Sequence, residues 1–260
     1  MQNKPLKRFG QNYLVDNNII NKIAEEINPQ EDDIILEIGP GRGALTAKLL
    51  ESKANISAVE IDSRVIDDLK SRFNNLSLYQ SDILEYDFEE FFNLKKKKIK
   101  VAGNIPYNLT SPIVFTLIEN IDYVSDAVLM VQYEVAKRMN AEKKTKDYGI
   151  FAVILRYFSE VKFCFKISPN VFYPKPNVDS ALVHLYFNKG KAFGEFEKTF
   201  IKVVKASFGN RRKTLKNSLS NSIFKDIDFS LSGIDLGLRA EQLNTEDFEK
   251  LTNFVLDIRK

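Results

Sequence analysis

The sequence predicts an α/β fold, a mostly parallel sheet with helices on both faces, followed by a small helical region. Three observations carry this. Short apolar runs alternate with helix-length amphipathic stretches over the first two-thirds of the chain, the pattern of strands joined by crossover helices. The runs are largely apolar, as strands buried on both faces require. From Phe196 onward no strand-length run appears, and the apolar spacing becomes helical at Phe200, Val203, Val204 and Phe208, then Leu215, Leu219 and Ile223.

Taken in order, strands are expected at 34–38, 56–60, 76–79, 99–102, 127–131, 161–165 and 181–187. Helical patterns lie between them, among others at 45–51, 64–74 and 113–119. The last two strands follow each other across a Pro-rich loop with no helix between, which predicts an antiparallel edge. The pattern breaks at Asn-Lys-Gly-Lys, residues 188–191, so two domains are expected: 1–187, carrying the sheet, and 188–260, helical. Residues 188–260 hold 14 Lys and Arg against 10 Asp and Glu, so the basic excess sits there.

Composition narrows the function. The 260 residues are 44% hydrophobic and 28% charged, values of an ordinary globular protein. One cysteine, Cys164, excludes an intramolecular disulfide or a multi-cysteine metal site. One histidine, His184, excludes paired-histidine metal motifs, and no metal is expected. Both lie inside strand patterns and are read as structural. The net charge of +3 and pI near 8.7 give a mild basic bias. Residues 103–118, though uncharged, contain Pro106, Pro112, Asn and Thr, and no apolar leader opens the chain. No membrane association and a cytoplasmic location are expected.

Two motifs carry chemistry. The first, Glu-Ile-Gly-Pro-Gly-Arg-Gly at 37–43, follows the first main strand and opens a helix. Glycines at 39, 41 and 43 allow a tight turn and close approach of a ligand to the backbone. Glu60, at the end of the next strand, can accept both hydroxyls of a ribose. Asp82, at the end of the third, can accept from an adenine amino group. Three polar strand tips on one sheet edge make a nucleoside site. The second motif is Asn104-Ile105-Pro106-Tyr107. The Asn104 side-chain oxygen and the Ile105 carbonyl can each accept one hydrogen of an exocyclic amine, drawing its nitrogen toward tetrahedral geometry. Pro106 fixes the turn, and Tyr107 offers a stacking face.

With these motifs the chain resembles the ribosomal RNA adenine N6,N6-dimethyltransferases, specifically the bacterial KsgA/RsmA type. Further matching segments are Lys-Arg-Phe-Gly-Gln-Asn-Tyr-Leu-Val-Asp at 7–16, Phe-Tyr-Pro-Lys-Pro-Asn-Val-Asp-Ser at 172–180, Phe-Gly-Asn-Arg-Arg-Lys-Thr-Leu at 208–215 and Arg-Ala-Glu-Gln-Leu at 239–243. Tyr13 stands where Phe is usual, Arg42 where Leu or Lys is common, and Tyr133 where Lys is common.

The resemblance implies a Rossmann-like S-adenosylmethionine-dependent methyltransferase domain with a small α-helical C-terminal RNA-binding domain. It implies dimethylation of N6 on two adjacent adenosines of 16S rRNA, in a small ribosomal subunit precursor, by a monomer serving ribosome biogenesis. Implied cofactor contacts are Asn12, Leu14, Gly39, Gly41, Glu60, Asp82 and Asn104. Phe172 would be a second stacking wall for the flipped adenine, beside Tyr107. Arg211, Arg212, Lys213 and Lys216 would meet RNA phosphates. Two alternatives stand: a macrolide-resistance type 23S rRNA adenine N6-methyltransferase, and a non-catalytic nucleic-acid-binding factor on the same fold.

Overall fold

The computed structural model describes residues 11–258; the segment 7–10 of the N-terminal motif lies outside them. The chain divides into two compact units, one of residues up to 136 with 162–188, the other of 137–161 with 189 onward.

The first unit opens with a two-residue strand β1 (Tyr13–Leu14) and helix α1 (Asn17–Ile27), whose N-cap Asp16 accepts from the amides of Asn18 and Ile19. The sheet follows: β2 (Ile34–Ile38), α2 (Ala44–Leu49), β3 (Asn55–Glu60), α3 (Ser63–Arg72), β4 (Ser77–Gln80), α4 (Phe88–Lys95), β5 (Ile99–Asn104), α5 (Thr110–Glu119) and β6 (Val124–Gln132). Helix α6 (Tyr133–Met139) comes next, then α7 (Ile150–Phe158), β7 (Glu160–Ile167), β8 (Phe172–Tyr173) and β9 (Ser180–Tyr186). Seven strands form one sheet in the order β4-β3-β2-β5-β6-β9-β7. Pairings from β4 through β6 are parallel, and β9 runs antiparallel to β6. This is the mostly parallel sheet expected from the strand–helix alternation, in the α/β Rossmann-like arrangement that the resemblance implies, with β9 antiparallel toward one edge.

The order matters because the crossover reverses direction between β2 and β5. In open parallel sheets that switch point opens a crevice at the carboxyl ends of the strands. The core beneath it packs Ile35, Leu49, Ile56, Ala102, Val128 and Leu182 with the apolar face of α1. Strands β1 and β8 form a separate antiparallel ladder, pairing Tyr13 with Tyr173 and Leu14 with Phe172.

The second unit contains α8 (Glu195–Ser207), α9 (Leu215–Ser220) and α10 (Thr245–Ile258). It also takes α7, so the single boundary expected at 188 is corrected. The reason is visible in that helix: Phe151, Ala152, Val153, Ile154, Leu155, Tyr157 and Phe158 are all buried, so α7 is apolar nearly all round. Such a helix needs partners on every side. It packs on α8 and α10, with the Tyr157 ring stacked on Phe200 at 4.4 Å between centroids. No helix among the described residues is long and apolar enough to cross a membrane.

Candidate active site

The carboxyl ends of β2, β3, β4 and β5 meet around one pocket in the first unit, lined by Asn12, Leu14, Gly39, Glu60, Asp82 and Asn104. Gly41, Ile105, Pro106 and Tyr107 also line it. The pocket opens to solvent, so a ligand can enter it from the surface.

The glycine loop is shaped by contact. Gly41 has φ +53, and a Cβ there would lie 2.8 Å from Cε1 of Tyr13, so only glycine fits. Its amide donates to Glu60 Oε2 at 3.1 Å, and the Asp62 amide donates to Oε1 at 2.8 Å. Glu60 is only 4% exposed, and burial pushes its carboxyl above the usual range. Backbone donors, the Ile61 amide among them, fill part of the roughly four acceptor positions of a carboxylate. The remainder can receive a pair of vicinal hydroxyls. Asp82 caps the turn at Ile83–Glu85 through Oδ1, which accepts from Leu84 at 3.0 Å.

Asn104 closes the site from the next strand tip. Its Nδ2 donates to the main-chain carbonyl of Asn12 at 2.7 Å, which leaves Oδ1 as the acceptor end of the amide. The Tyr107 hydroxyl shares a 2.6 Å hydrogen bond with Ser180 Oγ, so the ring is held at its far edge.

Two groups escaped the sequence reading. Glu37 lines the pocket, 2% exposed, accepting from Thr46 Oγ1 at 2.6 Å, and burial pushes its carboxyl up to about 7. The signal was an acid inside an otherwise apolar strand. Asp62 is held at about 2 by the Arg64 guanidinium and accepts from Gln11 Nε2 at 2.9 Å, tying the N-terminal segment to the β3 tip.

Phe172, expected as a second stacking wall, is 4% exposed and belongs to the core around Leu14, Ile20 and Ile23. Alternation in β8 turns its neighbour Tyr173 outward instead, 57% exposed. His184 faces Glu26 Oε1 at 2.8 Å through Nδ1 and Asp126 Oδ1 at 3.0 Å through Nε2, a structural pairing of α1 with the sheet. Burial pushes the Cys164 thiol up to about 12, unsuited to a nucleophile.

In the second unit, Arg212, Lys213 and Lys216 are exposed. Arg211 is exposed too, but it is also bonded within the unit. Its guanidinium donates to the carbonyls of Lys146 and Tyr148 at 2.9 and 3.0 Å and lies 3.7 Å from Glu241. Those bonds bring the lysine loop at 143–146 beside residues 211–213. Tyr148 Oη in turn donates to the Leu243 carbonyl at 2.9 Å, so the segments at 148–149, 208–215 and 239–243 are knit together.

Comparison with known proteins agrees with this architecture. The chain is 44% identical over 257 residues to the ribosomal RNA small subunit methyltransferase A of Francisella tularensis subsp. novicida, covering 97% of this chain and 98% of the relative. The crystal structure of a dimethyladenosine transferase from Plasmodium falciparum superposes with a TM-score of 0.78 at 27% identity, covering 95% of this chain and 97% of that one. The crystal structure of the 23S rRNA methyltransferase ErmE superposes with a TM-score of 0.67 at 26% identity, covering 93% and 98%. Residues 2–257 match the family described as ribosomal RNA adenine dimethylase, and with that match, the strand-tip pocket and its Asn104–Tyr107 turn, the chain belongs to the ribosomal RNA adenine dimethylase family.

Proposed function

We propose that this enzyme uses S-adenosylmethionine to dimethylate N6 of two adjacent adenosines of 16S rRNA, acting as a single chain on a small-subunit precursor. The observation that carries the reading is the Asn104 amide, oriented by the Asn12 carbonyl so that an acceptor oxygen remains at the pocket. The donor set fits the cofactor. Buried Glu37 and Glu60 and half-buried Asp82 suit a ligand bearing hydroxyls, an amine and positive charge, and the Gly39–Gly41 backbone allows close approach. When bound, the cofactor supplies a methyl group already activated on a sulfonium.

The chain's own residues then orient the amine. Asp82 receives the cofactor's adenine amino group and Glu60 its ribose, while Asn12, Leu14 and the glycine loop flank the rest. Asn104 Oδ1 and the Ile105 carbonyl accept hydrogen bonds from the two N6–H groups of the target, and from the one that remains before the second transfer, drawing its lone pair out of the ring. The proton displaced in each transfer leaves to water. Tyr107, held by Ser180, stacks on the flipped base. Orientation of this kind accounts for on the order of 7–11 kcal/mol of a barrier. Arg212, Lys213 and Lys216, with the lysine loop, neutralise phosphates.

The name of the 44% identical relative supports the small-subunit substrate over the large-subunit alternative, which rests on a 26% identical structure. Mass mapping of methylated adenosines on small-subunit particles, incubated with enzyme and cofactor, tests it. Two adjacent dimethyladenosines are expected. Modification of protein-free 23S rRNA, with none on the particles, would favour the macrolide-resistance reading.

A further inference from the structure

We propose that Arg42 is a positioning residue for methyl transfer: lodged against the rings of Tyr13 and Tyr173, it holds β1 on the glycine loop and thereby keeps the Asn12 carbonyl on Asn104. The inference rests on the functional reading above. Its geometry is specific. The guanidinium carbon lies 4.6 Å from the Tyr13 ring centroid and 5.8 Å from that of Tyr173. Those two residues are cross-strand partners in the β1–β8 ladder.

That ladder pairs only two residues on each side, too little to hold itself in water. Other contacts must fix it. The Tyr13 hydroxyl does not contribute, being buried without a hydrogen-bond partner. Leu14 and Phe172 anchor the ladder's inner side in the core, the Gln11–Asp62 and Val15–Val171 bonds tie the flanking residues, and the ring faces hold its outer side. One edge of Tyr13 presses on Gly41 in the glycine loop, and Arg42 from the same loop covers its face. The cation thus joins three segments far apart in sequence: 13–14, 41–42 and 172–173. Cation–π contacts of Arg are strongest when partly desolvated, and Arg42 is half-buried. Immediately before Tyr13 stands Asn12, whose carbonyl receives Nδ2 of Asn104. Loosening β1 therefore frees the amide to rotate and present its donor end to the substrate amine.

The test uses the full chain with Arg42→Leu, Arg42→Lys, Tyr173→Leu and Tyr173→Phe. Three quantities are read: the Kd of S-adenosylmethionine by calorimetry, the single-turnover rate at saturating cofactor, and the NMR signal of the Asn104 side-chain amide. Arg42→Leu and Tyr173→Leu are expected to weaken cofactor binding about 3- to 10-fold, to slow the saturated step and to shift the Asn104 amide resonance. Arg42→Lys and Tyr173→Phe, which keep the charge and the ring, are expected to restore most of each. Tyr173 is exposed, so its variants report even if an Arg42 variant folds poorly. Wild-type affinity and an unmoved amide signal in both Leu variants would overturn the proposal, as would an Arg42→Lys enzyme no better than Arg42→Leu. Wild-type enzyme that binds no S-adenosylmethionine would instead overturn the functional reading beneath it.

Discussion

Asn104 and Asn12, 92 residues apart in sequence, are joined by a 2.7 Å hydrogen bond from the side-chain Nδ2 of one to the main-chain oxygen of the other. The bond decides which end of the amide an incoming amine meets. Asn104→Asp keeps the shape but replaces the donor with an oxygen facing the Asn12 carbonyl. Turnover is expected to fall by roughly 10²- to 10³-fold, as for loss of other preorganised polar contacts at reacting centres, while cofactor affinity weakens much less. Equal losses in Kd and in single-turnover rate would show that Asn104 serves the cofactor alone.

Tyr107 and Ser180 share one hydrogen bond, so their variants should not add. Tyr107→Phe and Ser180→Ala each remove it, at about 0.5–1.5 kcal/mol, and the double variant is expected to match either single one. Tyr107→Ala also loses base stacking, worth on the order of 1–3 kcal/mol. Rates measured on small-subunit particles check this; strict additivity of Tyr107→Phe with Ser180→Ala would contradict a shared bond.

Phe172 is a core residue, and its loss should appear in stability first. Phe172→Ala is expected to cost about 3–5 kcal/mol, the range for buried Phe truncations, in a denaturant titration. Tyr173→Phe, altered only at an exposed ring, should leave stability within roughly 0.5 kcal/mol of wild type. A stable Phe172→Ala protein with lost activity would return this ring to the substrate site.

Glu37 carries a pH signature. Its ordinary value of 4.5 is pushed to about 7 by burial, so the folded state holds a proton the unfolded chain has released. Its effect is absent below pH 4.5, costs stability as pH rises from 4.5 to about 7, and is constant above. The cost is on the order of 3 kcal/mol, at about 1.4 kcal/mol per pH unit. Glu37→Gln keeps an acceptor for Thr46, so its Tm should exceed wild type at a pH well above 7 and match it near 4.5. Identical Tm profiles would remove the effect. Because the cofactor is cationic, wild-type affinity should also climb with pH through about 7, and that slope should vanish in Glu37→Gln.

The basic cluster of the second unit separates into two roles. Replacing Arg212, Lys213 and Lys216 together by Ala removes three exposed charges. The slope of log affinity for RNA against log salt should then flatten by about 2–3, at roughly 0.7–0.9 per phosphate contact, with cofactor binding unchanged. Arg211→Ala should instead lower thermal stability, since it breaks the bonds to the Lys146 and Tyr148 carbonyls. An unchanged salt slope in the triple variant would place the RNA elsewhere.

The sequence by itself determined the sheet and the strand-tip site. The strand expected at 34–38 is β2 residue for residue, and those expected at 56–60 and 99–102 begin or end within two residues of β3 and β5. The reason is that apolar periodicity and glycine spacing are local quantities, and each parallel strand writes its own. Gly39, Glu60, Asp82 and Asn104 followed because each sits at the end of such a strand. Tertiary structure alone decided the rest. A two-residue ladder such as β1–β8 has no period to read, so nothing local distinguishes the buried Phe172 from the exposed Tyr173. Helix α7 looks like a crossover within the sheet domain until its all-round apolar surface finds α8 and α10. Arg211 and Arg212 are adjacent and chemically identical, and only the Lys146 and Tyr148 carbonyls, 65 and 63 residues away, make one a staple. Hydrogen-bond partners across such separations are set by how the chain packs, and residue order does not encode them in any neighbouring pattern.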